Sequence, residues 1–421
     1  MAKLCNGFWT KFPMTDADRS FLPYARQSID EGDIAAVAAV LRGDWLTSGP
    51  KVKAFEETFA AKVGARFAVS CSSGTAGLHL ASLALALGEG DAIVVPALTF
   101  PATANAARYV GAEVIFAGVD PDSGLMGASD LNAALEGAAD KGAKAVFPVH
   151  LNGQCRDMEA IAALAAERGL KVVEDACHAL GTTYRTDRGE TVTVGSCRHS
   201  DLAVFSFHPA KTIAMGEGGA VTTNDEALYE RLVKLRNHGM THDAKAFENA
   251  ELAFDGDGSA NPWYYEMTEL GFNYRASDID CALGLSQLGK LDHFVSRRRA
   301  LAAHYDDSLA PLAPLVRPVS RLADCEPAWH LYVVLIDFTT AGISRAVLMQ
   351  KLRDVGIGTQ VHFIPVYEQP YYRRRYGRQS LPGAEAYYAR ALSLPLFPAM
   401  SEADVERVVG GLRQILEGGA P

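Results

Sequence analysis

Residues 205–225 read FSFHPAKTIAMGEGGAVTTND. An apolar run, Phe205–Phe207, meets a polar turn holding Lys211, then a glycine cluster, then a second apolar run, Ala220–Thr223. The pattern predicts two buried strands joined by a tight turn. Lysines mostly occupy solvated positions. A lysine in a glycine-flanked turn between buried strands is either such a solvated residue or a partly desolvated amine, whose pKa falls and which can attack an aldehyde.

Working outward, the same alternation fills residues 64 to 225. DAIVVPAL (91–98), AEVIFAGVD (112–120), KAVFPVHL (144–151), LKVVEDACHALG (170–181) and SDLAVFSFHP (200–209) read as strands, with helical PATANAARYV (101–110) and DMEAIAALAAERG (157–169) between them. Strands alternating with helices require crossover connections, hence a mostly parallel sheet covered on both faces. The fold class is α/β, a three-layer large domain over residues 21–285 with a smaller C-terminal α/β domain over 286–421 and a leader up to residue 20. The first residues of the large domain are free to pack on the small one. The region from about 225 to 275 reads as a long loop, ordered by PWYYEM (262–267). Residues 277–309 form a long helical pattern capped by Ser277 or Asp278. WHLYVVLIDF, SRAVLMQKLRDVG, IGTQVHFIP and SEADVERVVGGLRQIL continue as strand, helix, strand and helix.

The chain has 421 residues, 48% apolar and 21% charged, with a net charge of −10. This balance suits a globular protein and argues against an extensive nucleic-acid-binding face. Seven cysteines without a C-x-x-C pair argue against a disulfide framework or zinc site and fit a reducing cytoplasm. No apolar run reaches the ~18 residues of a membrane span.

Ligands of such sheets bind beyond the carboxyl ends of the strands. Four features fall there. CSSGTAGLHLASLALALG (71–88) opens a helix on small residues; it is either an ordinary capped helix or a phosphate cradle formed by the amides of Gly74, Thr75 and Ala76 with the Thr75 hydroxyl. Period two turns Glu174 and Asp175 to opposite faces, so Asp175 either caps a turn or meets a cation at the sheet edge. Phe100 is either core or a flat cover for a flat ligand. His178 is either a core histidine or a ligand contact. Together with Lys211, a phosphate cradle, an aromatic face and an acid suit pyridoxal phosphate. No G-x-G-x-x-G follows a strand, which disfavours a dinucleotide binder.

SSGTAGLHLA, PALTFPATANA, EDACHALG, FSFHPAKTIAMGEGGAVTTND and GFNYRASDIDCALGLSQL, in this order, resemble the nucleotide-sugar aminotransferases among the fold-type I (aspartate-aminotransferase-like) pyridoxal-phosphate enzymes. The resemblance runs from about Tyr24 to the end. DWLTSGPKVKAFEETFAA, ACHALGTTY, RNHGM, PWYYEMTELGFNYR and GIGTQVHFIPVYEQPYYRRRYG look most like the UDP-4-amino-4,6-dideoxy-N-acetyl-β-L-altrosamine transaminases of pseudaminic acid biosynthesis, which use L-glutamate and a UDP-linked 4-keto sugar. The resemblance implies that Lys211 holds the cofactor and moves the proton, and that Asp175 pairs with the ring nitrogen. It implies that Phe100 stacks on the ring and His178 lies at its edge. Thr75, Ala76 and Ser206 would bind the phosphate with Asn273 of a partner subunit, making a homodimer. Tyr24, Thr47, Arg275, His330 and His362 would line the sugar-nucleotide cleft. A branch of the family with histidine in place of the lysine dehydrates its substrate; Lys211 argues against that branch. Ala214–Met215 and Asn152 depart from the subgroup's usual residues beside the expected sugar site. The arginine runs 297–299 and 373–375, with Arg378, offer cations for a diphosphate or a solvated face. The rival readings are an aminotransferase for another nucleotide-linked keto sugar, and a non-catalytic cofactor-binding regulator.

Overall fold

The computed structural model describes residues 21–138 and 142–418. The expected leader lies outside them. The strands, in chain order, begin with β1 (Phe67–Cys71), β2 (Ala92–Pro96), β3 (Glu113–Ala117), β4 (Ala143–Val146) and β5 (Lys171–Asp175). A short hairpin, β6 (Thr183–Arg185) and β7 (Thr191–Thr193), precedes β8 (Leu202–Ser206) and β9 (Gly219–Thr223). Seven of them form one sheet in the order β1-β9-β8-β5-β4-β2-β3. β2, β3, β4, β5 and β8 are parallel, and β9 runs antiparallel to both its neighbours.

Central strands such as β2 are buried along their whole length, which is why AIVVP shows no polar alternation. Each such valine or isoleucine contributes about 1.5–3 kcal/mol by leaving water. The helix Gly74–Ala84 lies directly on the sheet. A Cβ at Gly77 would sit 2.7 Å from Val204 Cγ1, so only glycine permits this approach.

The opening stretch folds as read, with β8 and β9 joined by the Lys211 turn. Phe205 and Phe207 turn to one face, where they meet Phe59 at 5.1 and 5.3 Å between ring centroids. Period two then sends Ser206 to the other face, toward the helix Gly74–Ala84.

Three expectations change. Residues 226–236 form the helix Glu226–Arg236, capped by Asp225, so the irregular segment begins only at Asn237. Its polar composition hid a helix that buries only Leu232 and Leu235. Residues 277–309 form two helices, Asp278–Leu288 and Leu291–Leu309, broken at Gly289–Lys290; Ser277 is the cap of the first. IGTQVHFIP is not a strand. It makes isolated bridges, Ile357 with Leu22 and Gln360 with Ser393.

The segment 237–276 carries the two-residue strands β10 (Met240–Thr241) and β11 (Glu266–Met267). Beyond residue 309, β12 (Val316–Pro318), β13 (Cys325–Glu326), β14 (Tyr332–Ile336) and β15 (Ala391–Leu394) follow. β12, β14 and β15 make an antiparallel three-stranded sheet. The helices Leu291–Leu309, Arg345–Asp354 and Glu402–Leu416 accompany it. The N-terminal residues join this part: Gly358 N donates to Leu22 O at 2.8 Å and Leu396 N to Tyr24 O at 3.0 Å.

Candidate active site

The carboxyl ends of β2, β5 and β8 bring Phe100, Asp175, His178, Ser206 and Lys211 to one edge of the sheet. Asp175 and Glu174 face opposite ways, as their spacing requires. Glu174 is tied to His150 Nε2 at 2.8 Å and Ser200 Oγ at 2.6 Å. Asp175 is buried, and its Oδ2 accepts from Thr103 Oγ1 at 2.7 Å while Oδ1 accepts from Cys177 N at 3.2 Å. Both donors are neutral.

The Lys211 side chain is partly buried. Burial lowers its ammonium pKa, and the nearby Cys177 thiol and Asp175 carboxylate oppose that shift. An amine so placed is easier to deprotonate than a surface lysine.

The helix Gly74–Ala84 is capped by Ser73, whose Oγ accepts from Ala76 N at 3.1 Å. The Ala76 amide is therefore taken, and the first-turn amides left for an anion are those of Gly74 and Thr75. Gly74 faces Ser206: a Cβ on Gly74 would lie 2.8 Å from Ser206 Cβ. The cradle thus joins a helix N-terminus to the β8 serine. Phe100, the first-turn cap of the helix Pro101–Tyr109, is 59% exposed. An exposed phenyl ring at a strand end is a face awaiting a partner, which separates it from the core reading.

Three buried histidines lie near enough to the amine to feel its charge. The rings of His178 and His330 lie 4.3 Å apart, and His178 lies 6.0 Å from the Phe363 ring. The His362 ring lies 5.7 Å from that of Tyr24, and its Nδ1 bonds Ser393 Oγ at 2.7 Å. Burial depresses all three imidazoles, His362 to about 3, and the charge on Lys211 adds to this. They are neutral at ordinary pH. The Nδ1 atoms of His178 and His330 are buried without a hydrogen-bond partner among the described residues.

Other expected residues lie elsewhere. Thr47 pairs with Ser277 across an isolated bridge. Arg275 Nη1 donates to Asn237 Oδ1 at 2.6 Å, and the side chain of Asn273 is exposed. Arg275 and Ser48 line a groove of about 1300 Å³ whose walls include neither Lys211 nor Asp175. The arginine runs are mostly engaged within the chain. Arg298 is buried and donates to the carbonyls of Trp329, His330 and Leu396. Arg297 bonds Met400 O, Arg299 bonds Pro327 O, Arg373 pairs with Glu368 and Arg375 with Glu113. Ala214, Met215 and Asn152 are buried. Thr103 was missed by sequence reading, although PALTFPAT contains it three residues after Phe100, one helical turn on.

The residues present fit pyridoxal phosphate. A buried carboxylate with only neutral donors suits a cationic ring nitrogen, the Gly74–Thr75 amides suit a phosphate, and the exposed Phe100 ring suits a flat heterocycle.

Comparison with known proteins agrees. Residues 27–413 match the DegT/DnrJ/EryC1/StrS aminotransferase family. The chain belongs to this family of pyridoxal-phosphate-dependent sugar aminotransferases, with the fold-type I architecture. The spore coat polysaccharide biosynthesis protein SpsC of Bacillus subtilis is 40% identical over 411 residues, covering 96% of this chain and 100% of its own. PseC of Helicobacter pylori, an aminotransferase involved in pseudaminic acid biosynthesis, superposes with a TM-score of 0.83 at 28% identity, over 94% of this chain and 99% of its own. Spr1654 of Streptococcus pneumoniae in its PLP form superposes with a TM-score of 0.81 at 26% identity, over 94% and 99%. Among the described residues no helix is long and apolar enough to cross a membrane.

Proposed function

We propose that this sugar aminotransferase moves the amino group of L-glutamate to C4 of a UDP-linked 4-keto-6-deoxy-N-acetylhexosamine, as a UDP-4-amino-4,6-dideoxy-N-acetyl-β-L-altrosamine transaminase. The observation that carries the reading is the meeting of Lys211 with Asp175, Phe100 and the Gly74–Ser206 cradle at one sheet edge. The sequence likeness to the pseudaminic acid subgroup and the structural likeness to PseC support the choice of sugar.

Bound pyridoxal phosphate supplies an aldehyde that carries the amino group and a ring that takes up charge when a proton leaves carbon. Lys211 Nζ would hold that aldehyde at rest. Once displaced, the same amine would take a proton from the donor's α-carbon in one half-reaction and return one to C4 of the sugar in the other. Its lowered pKa serves this role, since a general base works best near the operating pH. The Asp175 carboxylate, fixed by Thr103, would keep the ring nitrogen cationic. Phe100 would cover one face of the ring and exclude water. His178, held neutral by burial, would lie at the ring edge and would add no positive charge to compete with Lys211.

Residues 21–285 would carry the cofactor, and 286–421 would border the cleft through His330 and His362. Asn273 and Arg275, outside the Lys211 cluster of their own protomer, would serve the site of a partner subunit in a homodimer. Tyr24 and Thr47 complete the proposed sugar-nucleotide contacts.

The test is turnover of a panel of 4-keto nucleotide sugars, carrying UDP, GDP or dTDP, with L-glutamate as donor. Amination of the altrosamine-type UDP ketone at the highest kcat/KM supports the reading. Turnover of another ketone with none of this one overturns it.

A further inference from the structure

The helix Asp278–Leu288 touches three segments, the Lys211 turn among them. At its start, Asp278 is fully buried and accepts from Gly49 N at 2.6 Å and Lys51 N at 2.9 Å, which fixes the loop carrying Thr47. At its middle, Gly284 packs against Met215, the residue that closes the Lys211 turn through Met215 N to Phe207 O at 2.9 Å. At its end stands Gln287, 1% exposed.

The Gln287 amide is bonded on both sides, and its partners fix its orientation. On one side Nε2 donates to Ser28 O at 2.9 Å and Asp33 Oδ2 at 2.7 Å, both acceptors. On the other side Oε1 accepts from Ala214 N at 3.4 Å. A flipped amide would set Nε2 against an N–H and an oxygen against two oxygens, so only this orientation satisfies the site. Asp33 is completely buried and also holds Lys290 Nζ at 2.8 Å; Lys290 reaches Asp30 Oδ1 at 2.6 Å as well. Gln287 is therefore clamped by a charged pair on one side and holds the backbone of the Lys211 turn on the other. Through Ser28 it also holds the segment that carries Tyr24 to within 5.7 Å of the His362 ring.

A buried amide satisfied on both sides is costly to disturb and specifies one arrangement. The amide of Lys211 itself gives the turn no outside anchor, since it donates to His208 O within the same turn. We propose that Gln287, anchored by Asp33, is a positioning residue for Lys211. It sets the turn so that Nζ addresses the cofactor, and it locks that turn to the N-terminal segment bordering the cleft. This rests on the reading of Lys211 as the cofactor-holding amine.

The test uses the holoenzyme of Gln287→Met, Gln287→Glu and the double variant Gln287→Glu/Asp33→Asn. The methionine side chain keeps the volume and removes the hydrogen bonds. In Gln287→Glu the new carboxylate still accepts from Ala214 N but sets a second negative charge against Asp33. Adding Asp33→Asn removes one of the two negative charges and with it that repulsion, while the asparagine oxygen still accepts from Asp30 N and Lys290. Two readouts follow Lys211: the single-turnover rate of cofactor bleaching by L-glutamate, and the midpoint of the pH titration of the visible absorbance. Both single variants are expected to lose about tenfold in rate and to move the midpoint, and the double variant to recover at least half of the lost rate. Unchanged rate and midpoint in Gln287→Glu, or a loss that Asp33→Asn does not rescue, overturns the proposal even if Gln287→Met does not fold. A thermal midpoint that falls while both readouts stay put assigns Gln287 a purely structural role and also overturns it. Lys211→Ala in the same assay separates the two claims: persistent bleaching there refutes the reading of Lys211 itself.

Discussion

Thr103 Oγ1 lies 2.7 Å from Asp175 Oδ2, and both residues are buried. Thr103 has one hydroxyl proton, and the carboxylate is its strongest acceptor, so Thr99 Oγ1, 2.7 Å from Thr103 Oγ1, is the donor in that second contact. The chain Thr99–Thr103–Asp175 thus fixes the carboxylate from the helix that Phe100 begins. The residue that would stack on the cofactor and the residue that orients its counter-ion share one helical turn. Hydrogen bonds to charged groups contribute about 1.5–3 kcal/mol. Thr103→Val should therefore slow the glutamate half-reaction about 10- to 100-fold, measured by stopped-flow absorbance. A rate within twofold of the parent would show that Asp175 needs no such support.

Asp175→Asn keeps the shape and removes the charge. The ring nitrogen would then lose its counter-ion, and kcat should fall by about 10²–10³. Steady-state kinetics with glutamate and the preferred ketone measure it. A fall of less than fivefold would mean that another group carries this role.

Gly74→Ala places a methyl 2.8 Å from Ser206 Cβ and 3.1 Å from Cys177 Sγ. Overpacking of this kind costs about 1–3 kcal/mol, here within the phosphate cradle. Cofactor affinity, followed by fluorescence on dilution, should weaken about 5- to 100-fold. Unaltered affinity would move the phosphate away from this helix.

The buried histidines give stability a defined pH dependence. An imidazole titrates near 6.5 in the unfolded chain, whereas burial lowers His178, His330 and His362 in the fold, His362 to about 3. Below pH 6.5 the unfolded state binds more protons than the native state, so stability falls as pH falls. It is complete above that value. Each such group adds up to about 1.4 kcal/mol per pH unit. His362→Gln should lose about 2 kcal/mol less than the parent between pH 6.5 and 4.5, measured by urea unfolding of the holoenzyme. Identical losses in parent and variant would contradict a neutral His362.

Much of this was legible in the residues. The period-two logic of ED turned Glu174 and Asp175 to opposite faces, as the structure has them, because side-chain alternation in a strand is geometry rather than preference. The helix Glu226–Arg236 was hidden because a helix buried on only two positions lacks an apolar stripe. The arginine runs stayed open between a diphosphate site and a solvated face because charge in a sequence does not say what accepts it. Arg298 proves to be a core residue serving three carbonyls. Thr103 and Gln287 were invisible for a related reason: each acts through a partner 72 or 73 residues away, and single-chain spacing carries no such distance.

The central claim is that Lys211, and no other lysine, holds the cofactor. Reduction of the yellow holoenzyme with borohydride makes that linkage permanent, and peptide mass mapping then locates it. The account predicts the phosphopyridoxyl mass on the peptide containing Lys211, and none after prior bleaching with L-glutamate. The mass on any other lysine, or its persistence on Lys211 after complete bleaching, would contradict it.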